Sequence, residues 1–454
     1  MTPKTDNQES YNKLREIYPL FTYSSYNYSI TGNKLSFGFV FILNDEIEFR
    51  PTSSIILPEI PQFRENIHPL VENIIFQIGM IELISYWKAT CSPMIEIKAG
   101  QLNEEQINWW KELYFNGLGE FFYLNTIDAS RENFVNISSH GKTHEKIEDE
   151  FFKNEYIIPI GGGKDSVVTL ELLKNNGMKV HPLIMNPRGA TIDTVLTSGL
   201  TMQDVIIINR SIDPVLLQLN ERSFLNGHTP FSAMLAFYTL LASALTGYRN
   251  IALSNEASAN EATIPGTDIN HQYSKSIEFE SNFRDYYSKY ILKKFNYFSF
   301  LRPLNELQIV SIFSKLEKYH KVFKSCNVGS KTNTWCGGCP KCLFTHIMLS
   351  AYKGTDYANQ IIGMPMLNRE ENTTYFDELC GFSAIKPFEC VGTLNDVQTA
   401  MKRIIRNSPA DNMPVLVKRF INLEHTLPEN ETPFNNYDHF LDEELMTILN
   451  RAIQ

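Results

Sequence analysis

The sequence predicts an α/β fold: a parallel sheet covered by helices, preceded by an N-terminal α+β domain and followed by a mostly helical C-terminal part with a cysteine-rich insert. Three observations carry that expectation. The apolar run Ile157-Ile158-Pro159-Ile160 breaks into Gly161-Gly162-Gly163 and enters a helix-like segment at Lys164-Asp165-Ser166. From Tyr156 onward strand-like and helix-like stretches alternate, which is the rhythm of a parallel sheet with covering helices. Four of the seven cysteines fall together between Cys326 and Cys342.

A chain of 454 residues suggests about two or three domains. The first, residues 1–150, contains short strands at Leu35 to Leu43 and Glu46 to Ile56 separated by Asn44-Asp45, then a strongly apolar helix from Leu70 to Trp87. Asn133 to Asp149 is polar and charge-rich, suited to a linker or flap. In the second, residues 151–303, strands are expected at Tyr156 to Ile160, Lys179 to Met185, Asp204 to Asn209 and Asn250 to Ser254. Helices are expected around Asp165 to Lys174, Thr191 to Leu200 and Pro230 to Thr246. Ligands on such sheets sit outside the carboxyl ends of the strands. The third region, residues 304–454, is helical apart from the insert at 326–342.

The formal net charge of -10 and a pI near 5.6 disfavour a nucleic-acid surface and point to small-molecule partners. No apolar run stands out as membrane-spanning, and the polar start Met1 to Tyr11 lacks a signal-peptide core, so no membrane partner and a cytoplasmic location are expected. Nothing in the sequence sets the oligomeric state.

The glycine stretch reads as a phosphate site. Glycines let the backbone approach phosphate oxygens, and the helix start presents unpaired N–H groups and the positive end of its dipole. Two common loops do not match. A Walker loop requires glycine where Ile158 stands and Ser or Thr where Asp165 stands, and a dinucleotide fingerprint lacks its third glycine. The cysteine insert, Cys326 with Cys336, Cys339 and Cys342, offers four thiolates to one ion. Structural Zn²⁺ is the first reading, and an iron–sulfur cluster is the alternative. His346 lies one helical turn past Cys342 and could replace Cys326, although an ordinary polar helix residue is the simpler reading.

Polar strings crowd the expected ligand edge: Asn226 to Pro230, where Asn226 or Thr229 could cap the next helix, Ser254 to Glu261, and Asn270 to Ser276. From these, Asn255, Glu256, Asn260, Gln272, Tyr273 and Lys275 are candidate substrate contacts, as are Lys386 and Glu389 in Lys386-Pro387-Phe388-Glu389-Cys390-Val391-Gly392. Thr393 is placed to cap the helix after that string.

The loop Gly161 to Ser166 resembles the Ser-Gly-Gly-x-Asp-Ser loop of the PP-loop ATP pyrophosphatases, an adenine nucleotide alpha-hydrolase-like fold, with Gly161 in place of the first serine. Read together with Ile84 to Pro93, Gly117 to Tyr123, Ser254 to Glu261, Asn270 to Ser276, Trp335 to Cys342 and Lys386 to Gly392, the chain from roughly residue 30 to 400 resembles the ATP-dependent UDP-N-acetylmuramoyl-L-alanyl-L-glutamate epimerase family. That resemblance implies ATP, Mg²⁺ and a UDP-linked muramoyl dipeptide as ligands, and a step in peptidoglycan synthesis that converts L-glutamate to D-glutamate. Gly161, Gly162, Gly163 and Ser166 would cradle the phosphates, Lys164 would add charge, Asp165 would orient Mg²⁺ and pyrophosphate, and Met185 and Asn186 would lie near the adenine. Activation of the α-carboxylate as an acyl-adenylate would make the neighbouring C–H removable, with Cys390 and His271 as the chosen acid/base pair. Cys390 with Cys91, and His271 with Glu389, are further pairings. The same adenylation could serve an amide ligase, a nitrile synthase or a tRNA thiolase, and Gly161 in the serine position leaves room for a non-catalytic nucleotide-binding regulator.

Overall fold

Adjacent residues of the central strands enter different cores: Ile157 and Leu183 belong to one apolar cluster, Ile158 and Ile184 to the other. Successive side chains on a strand face opposite ways, so the sheet lies between two hydrophobic layers. The structure is a computed structural model that describes residues 4–59, 67–148, 152–264, 266–409, 411, 413–427 and 438–454. Its strands are β1 (Leu20–Thr31), β2 (Lys34–Leu43), β3 (Ile47–Phe49), β4 (Thr52–Ile56), β5 (Met94–Ile97), β6 (Asn136–Ser139), β7 (Lys153–Pro159), β8 (Val180–Met185), β9 (Ile206–Arg210), β10 (Tyr248–Leu253) and β11 (Asn296–Ser299).

These strands form one mixed, mostly parallel sheet in the order β11-β10-β7-β8-β9-β4-β2-β1-β5-β6, with β3 beside β2. The block from β11 to β9 is parallel. β4 then runs antiparallel to β9, with Ser53 opposite Arg210. The regions read as residues 1–150 and 151–303 thus share a sheet, and residues 149–151, where that boundary falls, lie outside the described residues. Asn44 and Asp45, both at positive φ, turn β2 into β3, as their short polar side chains allow. The stretch expected as a polar linker contains β6, which extends the sheet beside β5.

The helix Ile67–Trp87 is long and apolar enough to cross a membrane by composition, contrary to the expectation that no run would be, and most of it is buried inside the molecule. Its apolarity covers nearly every face because it packs against the sheet and the helix Phe231–Thr246. The opposite layer holds the helices Lys164–Asn175, Glu306–Ser314, Pro340–Lys353 and Leu394–Asn407. The last begins with a capping box at Thr393, as its sequence suggests.

One buried cation ties the ligand edge together. Arg302 donates from Nη1 to the Glu256 carbonyl at 2.7 Å, from Nη2 to the Lys275 carbonyl, and pairs with Glu280 at 3.1 Å. Its side chain is fully enclosed, so its partners take the place of the water it lost.

Candidate active site

A cavity of about 720 Å³ opens at the carboxyl ends of β7, β8 and β10. At one end Gly161, Gly163, Lys164, Asp165 and Ser166 line it. Gly162 has φ +81°, and a Cβ there would meet the Ala190 Cβ at 2.9 Å, so both conformation and space demand glycine. A Cβ at Gly161 would meet nothing within 4 Å, so this position has room for the serine of the resembling loop. Gly163 is the N-cap of Lys164–Asn175 and offers no side chain to the first N–H groups. They stay available to an anion. Ser166 donates to the Gly163 carbonyl at 3.0 Å and braces the turn.

Lys164 is buried here, with its Nζ 2.6 Å from both Asp165 Oδ1 and Glu306 Oε1. Burial opposes its charge, but Asp165, Glu306 and Glu256 outweigh burial and raise its pKa. Burial and then Glu256 push the Glu306 carboxyl well above the usual carboxylate range. Three acids around one lysine form a polar floor beneath the glycine turn.

The other end gathers side chains from four distant segments. Lys275 Nζ lies 2.9 Å from Cys390 Sγ, and His271 shares the cavity with the same sulfur. Burial alone would raise the Cys390 thiol, but Lys275, Lys341 and His271 bring it well below its ordinary value. Burial works against the His271 cation, and Cys390 and Glu120 overcome it to lift His271 to about 9. A thiolate beside an imidazolium is the resulting state. Glu120 accepts from His271 Nδ1 and lies 3.2 Å from His228 Nδ1. Local packing explains the convergence: a Cβ on Gly117 would stand 2.8 Å from the Pro230 ring, and Tyr123 packs on Phe388 at 5.5 Å between ring centres.

Against this cavity sits the cysteine insert. Cys326 and Cys339 place their sulfurs 4.0 Å apart, and Cys336 and Cys342 place theirs 3.8 Å apart. All four sulfurs lie within 4.8 Å of one another, a set that fits one tetrahedral ion. The segment leading into it touches the glycine turn: the Lys324 N–H donates to the Gly162 carbonyl at 2.8 Å.

Comparison with known proteins gives the arrangement its context. Residues 12–300 match the MurL N-terminal domain and residues 322–433 the MurL C-terminal domain. The chain belongs to the MurL family. It is 32% identical over 360 residues to the UDP-N-acetyl-alpha-D-muramoyl-L-alanyl-L-glutamate epimerase of Xanthomonas oryzae pv. oryzae, covering 76% of this chain and 77% of that protein. It is 29% identical over 403 residues to the Salinispora tropica protein of the same name, covering 87% of each. A Micromonospora protein, also so named, is 28% identical over 403 residues, covering 87% of this chain and 89% of its own length.

In this MurL-family chain the cavity brings together Lys164, Asp165, Ser166, Met185, Asn186, Asn255, Glu256, His271, Gln272, Lys275 and Cys390 among the residues singled out from sequence. Others stand apart from its lining. Asn260 accepts from the Ile277 N–H at 2.8 Å, at the start of the helix Ile277–Tyr290. The Tyr273 ring is buried, with its hydroxyl 3.4 Å from Glu278. Lys386 pairs with Glu261, and Glu389 accepts from Asn327 Nδ2 at 2.6 Å. Asn186 spends its side chain on the Arg210 backbone, accepting at 2.8 Å and donating at 3.1 Å, whereas Met185 lines the cavity with no such tie.

The pairing of Cys390 with Cys91 does not stand. Cys91 is fully buried in the apolar layer under Ile67–Trp87, burial raises its pKa, and it is not part of the cavity lining. His346 bonds Asn359 and Ser350 rather than joining the thiols. Neither Asn226 nor Thr229 caps Phe231–Thr246: Thr229 accepts from Lys88 at 2.7 Å, and Asn226 Oδ1 accepts from the Gly227 N–H at 2.8 Å. Glu120, His228, Glu306 and Lys341 were missed. His228 was hidden in a string read as capping residues, and Glu120 in one used only as part of the family resemblance.

Proposed function

We propose that this chain is the ATP-dependent epimerase that converts UDP-MurNAc-L-Ala-L-Glu to UDP-MurNAc-L-Ala-D-Glu in peptidoglycan precursor synthesis. One observation supports this most directly: a glycine-lined phosphate turn and a thiolate–imidazolium pair face the same cavity. The isomerase class is that of its curated relatives, and a cytoplasmic location accords with a UDP-linked substrate.

A glutamate C–H beside a carboxylate is a poor acid, because removing its proton builds a second negative charge next to the first. Attack of the α-carboxylate oxygen on the α-phosphorus of ATP forms a C(O)–O–P bond and expels pyrophosphate. The resulting acyl-adenylate carries an ester-like carbonyl that accepts the electron pair of the broken C–H bond. Gly161, Gly162 and Gly163 bring backbone close to the phosphates, and Lys164 supplies positive charge. Asp165 is the residue to hold Mg²⁺, which when bound neutralises charge on the departing pyrophosphate.

Cys390 then takes the proton as a thiolate, with Lys275 and His271 stabilising that charge. Return of a proton on the other face inverts the carbon, and hydrolysis of the acyl–phosphate bond releases D-product and AMP. Cys326, Cys336, Cys339 and Cys342 would hold structural Zn²⁺, which when bound folds the loop that seats against Gly162.

Incubation with the L,L-dipeptide precursor, ATP and Mg²⁺ is expected to release pyrophosphate and yield D-glutamate on chiral analysis. Inversion without ATP consumption, or pyrophosphate release with no D-glutamate, would overturn the proposal.

A further inference from the structure

Inversion needs a second proton-transfer group. Cys390 serves one face of the carbon, and the burial of Cys91 excludes that thiol as the group for the other. Two imidazoles meet one carboxylate in the same cavity. Glu120 Oε2 contacts Nδ1 of both His271 and His228, the ring centres stand 4.8 Å apart, and both rings line the cavity. His271 in turn shares the cavity with Cys390 and helps hold its charge. Three side chains therefore form an unbroken series from His271 to the second ring, with the Cys390 sulfur lining the same cavity.

We infer that Cys390, His271, Glu120 and His228 form one proton relay in which His228 delivers the proton to the face opposite Cys390. This rests on the epimerase reading. The balance is closed. Cys390 Sγ takes the α-hydrogen as a proton, and the C–H pair moves onto the acyl carbonyl. His271, already an imidazolium, releases its Nδ1 proton to Glu120, and Glu120 protonates His228 Nδ1. His228 then gives its other ring proton to carbon, and the carbonyl re-forms. Carbon regains one proton, Glu120 and His228 regain their charges, and the Cys390 thiol beside neutral His271 returns to thiolate and imidazolium by giving its proton to water while His271 Nδ1 takes one from water.

The resting states agree with that direction of flow. His271 is raised to about 9 against burial by Cys390 and Glu120, whereas burial lowers His228 to about 4, with Glu120 opposing. One ring holds a spare proton and its neighbour can receive one. Glu120 is a positioning and transfer residue, and His228 is the group that touches the reacting carbon.

The test uses the full-length enzyme with L-substrate, ATP and Mg²⁺ in D₂O. His228→Gln is expected to lower inversion at least about 10²-fold while the substrate still gains α-deuterium with its L-configuration retained. A merely structural role would remove exchange together with inversion. Glu120→Asp, which keeps a carboxylate, is expected to invert within about tenfold of wild type, and Glu120→Gln to lose about 10²-fold. Inversion by His228→Gln within about tenfold of wild type would overturn the relay, as would joint loss of exchange and inversion in both His228→Gln and His228→Asn. A second equivalent of bound metal in the wild-type chain, lost on either His228 substitution, would overturn it too. Failure of the wild-type enzyme to release pyrophosphate or form D-glutamate would instead defeat the epimerase reading itself.

Discussion

The two ends of the cavity are built differently. The phosphate end is backbone chemistry from contiguous residues, Gly161 to Ser166, with the start of one helix behind them. The proton-transfer end is side-chain chemistry drawn from Glu120, His228, His271, Lys275 and Cys390. A turn that offers N–H groups can be specified locally, because a strand end, a positive-φ glycine and a helix start are neighbours in sequence. A relay of titrating groups needs desolvation and cross-chain contacts, which only the folded sheet supplies. Damage to one end should therefore separate from damage to the other.

The largest separation is expected for Cys390→Ala. Proton transfer from carbon should fall about 10³-fold, read as loss of α-hydrogen exchange in D₂O, while pyrophosphate release persists because the glycine turn is untouched. Equal loss of both would mean that the thiol supports nucleotide binding and that the two ends are not separate.

Arg302→Met attacks what the ends share. The guanidinium holds the backbone of Glu256 beside the phosphate end and of Lys275 beside the thiol, and its removal leaves Glu280 buried without its cation. Breaking a buried pair this way costs about 3–5 kcal/mol, measurable as a lower denaturant midpoint, with both partial reactions weakened together. A variant of wild-type stability that loses only one partial reaction would show that Arg302 is not a common strut.

Gly162→Ala probes the phosphate end alone. Forcing an alanine to φ +81° against Ala190 stores about 1–3 kcal/mol of strain, so pyrophosphate release should fall roughly 10- to 100-fold. In single-turnover experiments the variant should still exchange the α-hydrogen of whatever substrate it has activated. Unchanged pyrophosphate release would show that the turn can relax without cost.

Legibility followed the same division. The glycine turn, the four thiols and the apolar helix Ile67–Trp87 were readable because each is contiguous or regularly spaced. β1 was not: Tyr23 to Ser29 mixes aromatics with Ser and Asn, and only the pairing of Leu20–Thr31 with β2 makes a strand of it. β6 lay inside a stretch whose polarity read as linker, since a short strand takes its order from β5 rather than from its own composition. Asn260 and Tyr273 looked like ligand residues because polar density marks a site without saying which side chains turn inward. Glu120 gave no local signal, and the string holding His228 marked the ligand edge without singling out the imidazole, as the meaning of both comes from a shared contact 108 residues apart in sequence.

The smallest expected effect is also the most diagnostic of the comparison, because it depends on pH rather than on substitution. The ordinary His value of 6.5 is raised to about 9 in His271, so the ring keeps its proton through neutral pH and loses it as pH rises through 9. The stability contributed by that charge is fully present below 6.5 and gone above 9. Inversion should accordingly fall about tenfold per unit of pH above 9, with no matching limb in pyrophosphate release, whose lysine is held charged chiefly by Asp165. Replacing Lys275 by Met should leave His271 as the nearest hydrogen-bonding cation for the thiolate and move the limb upward, since the two charges no longer compete for one sulfur. A limb shared by both partial reactions, or one that stays in place in Lys275→Met, would place the titrating group outside the Cys390–His271 pair.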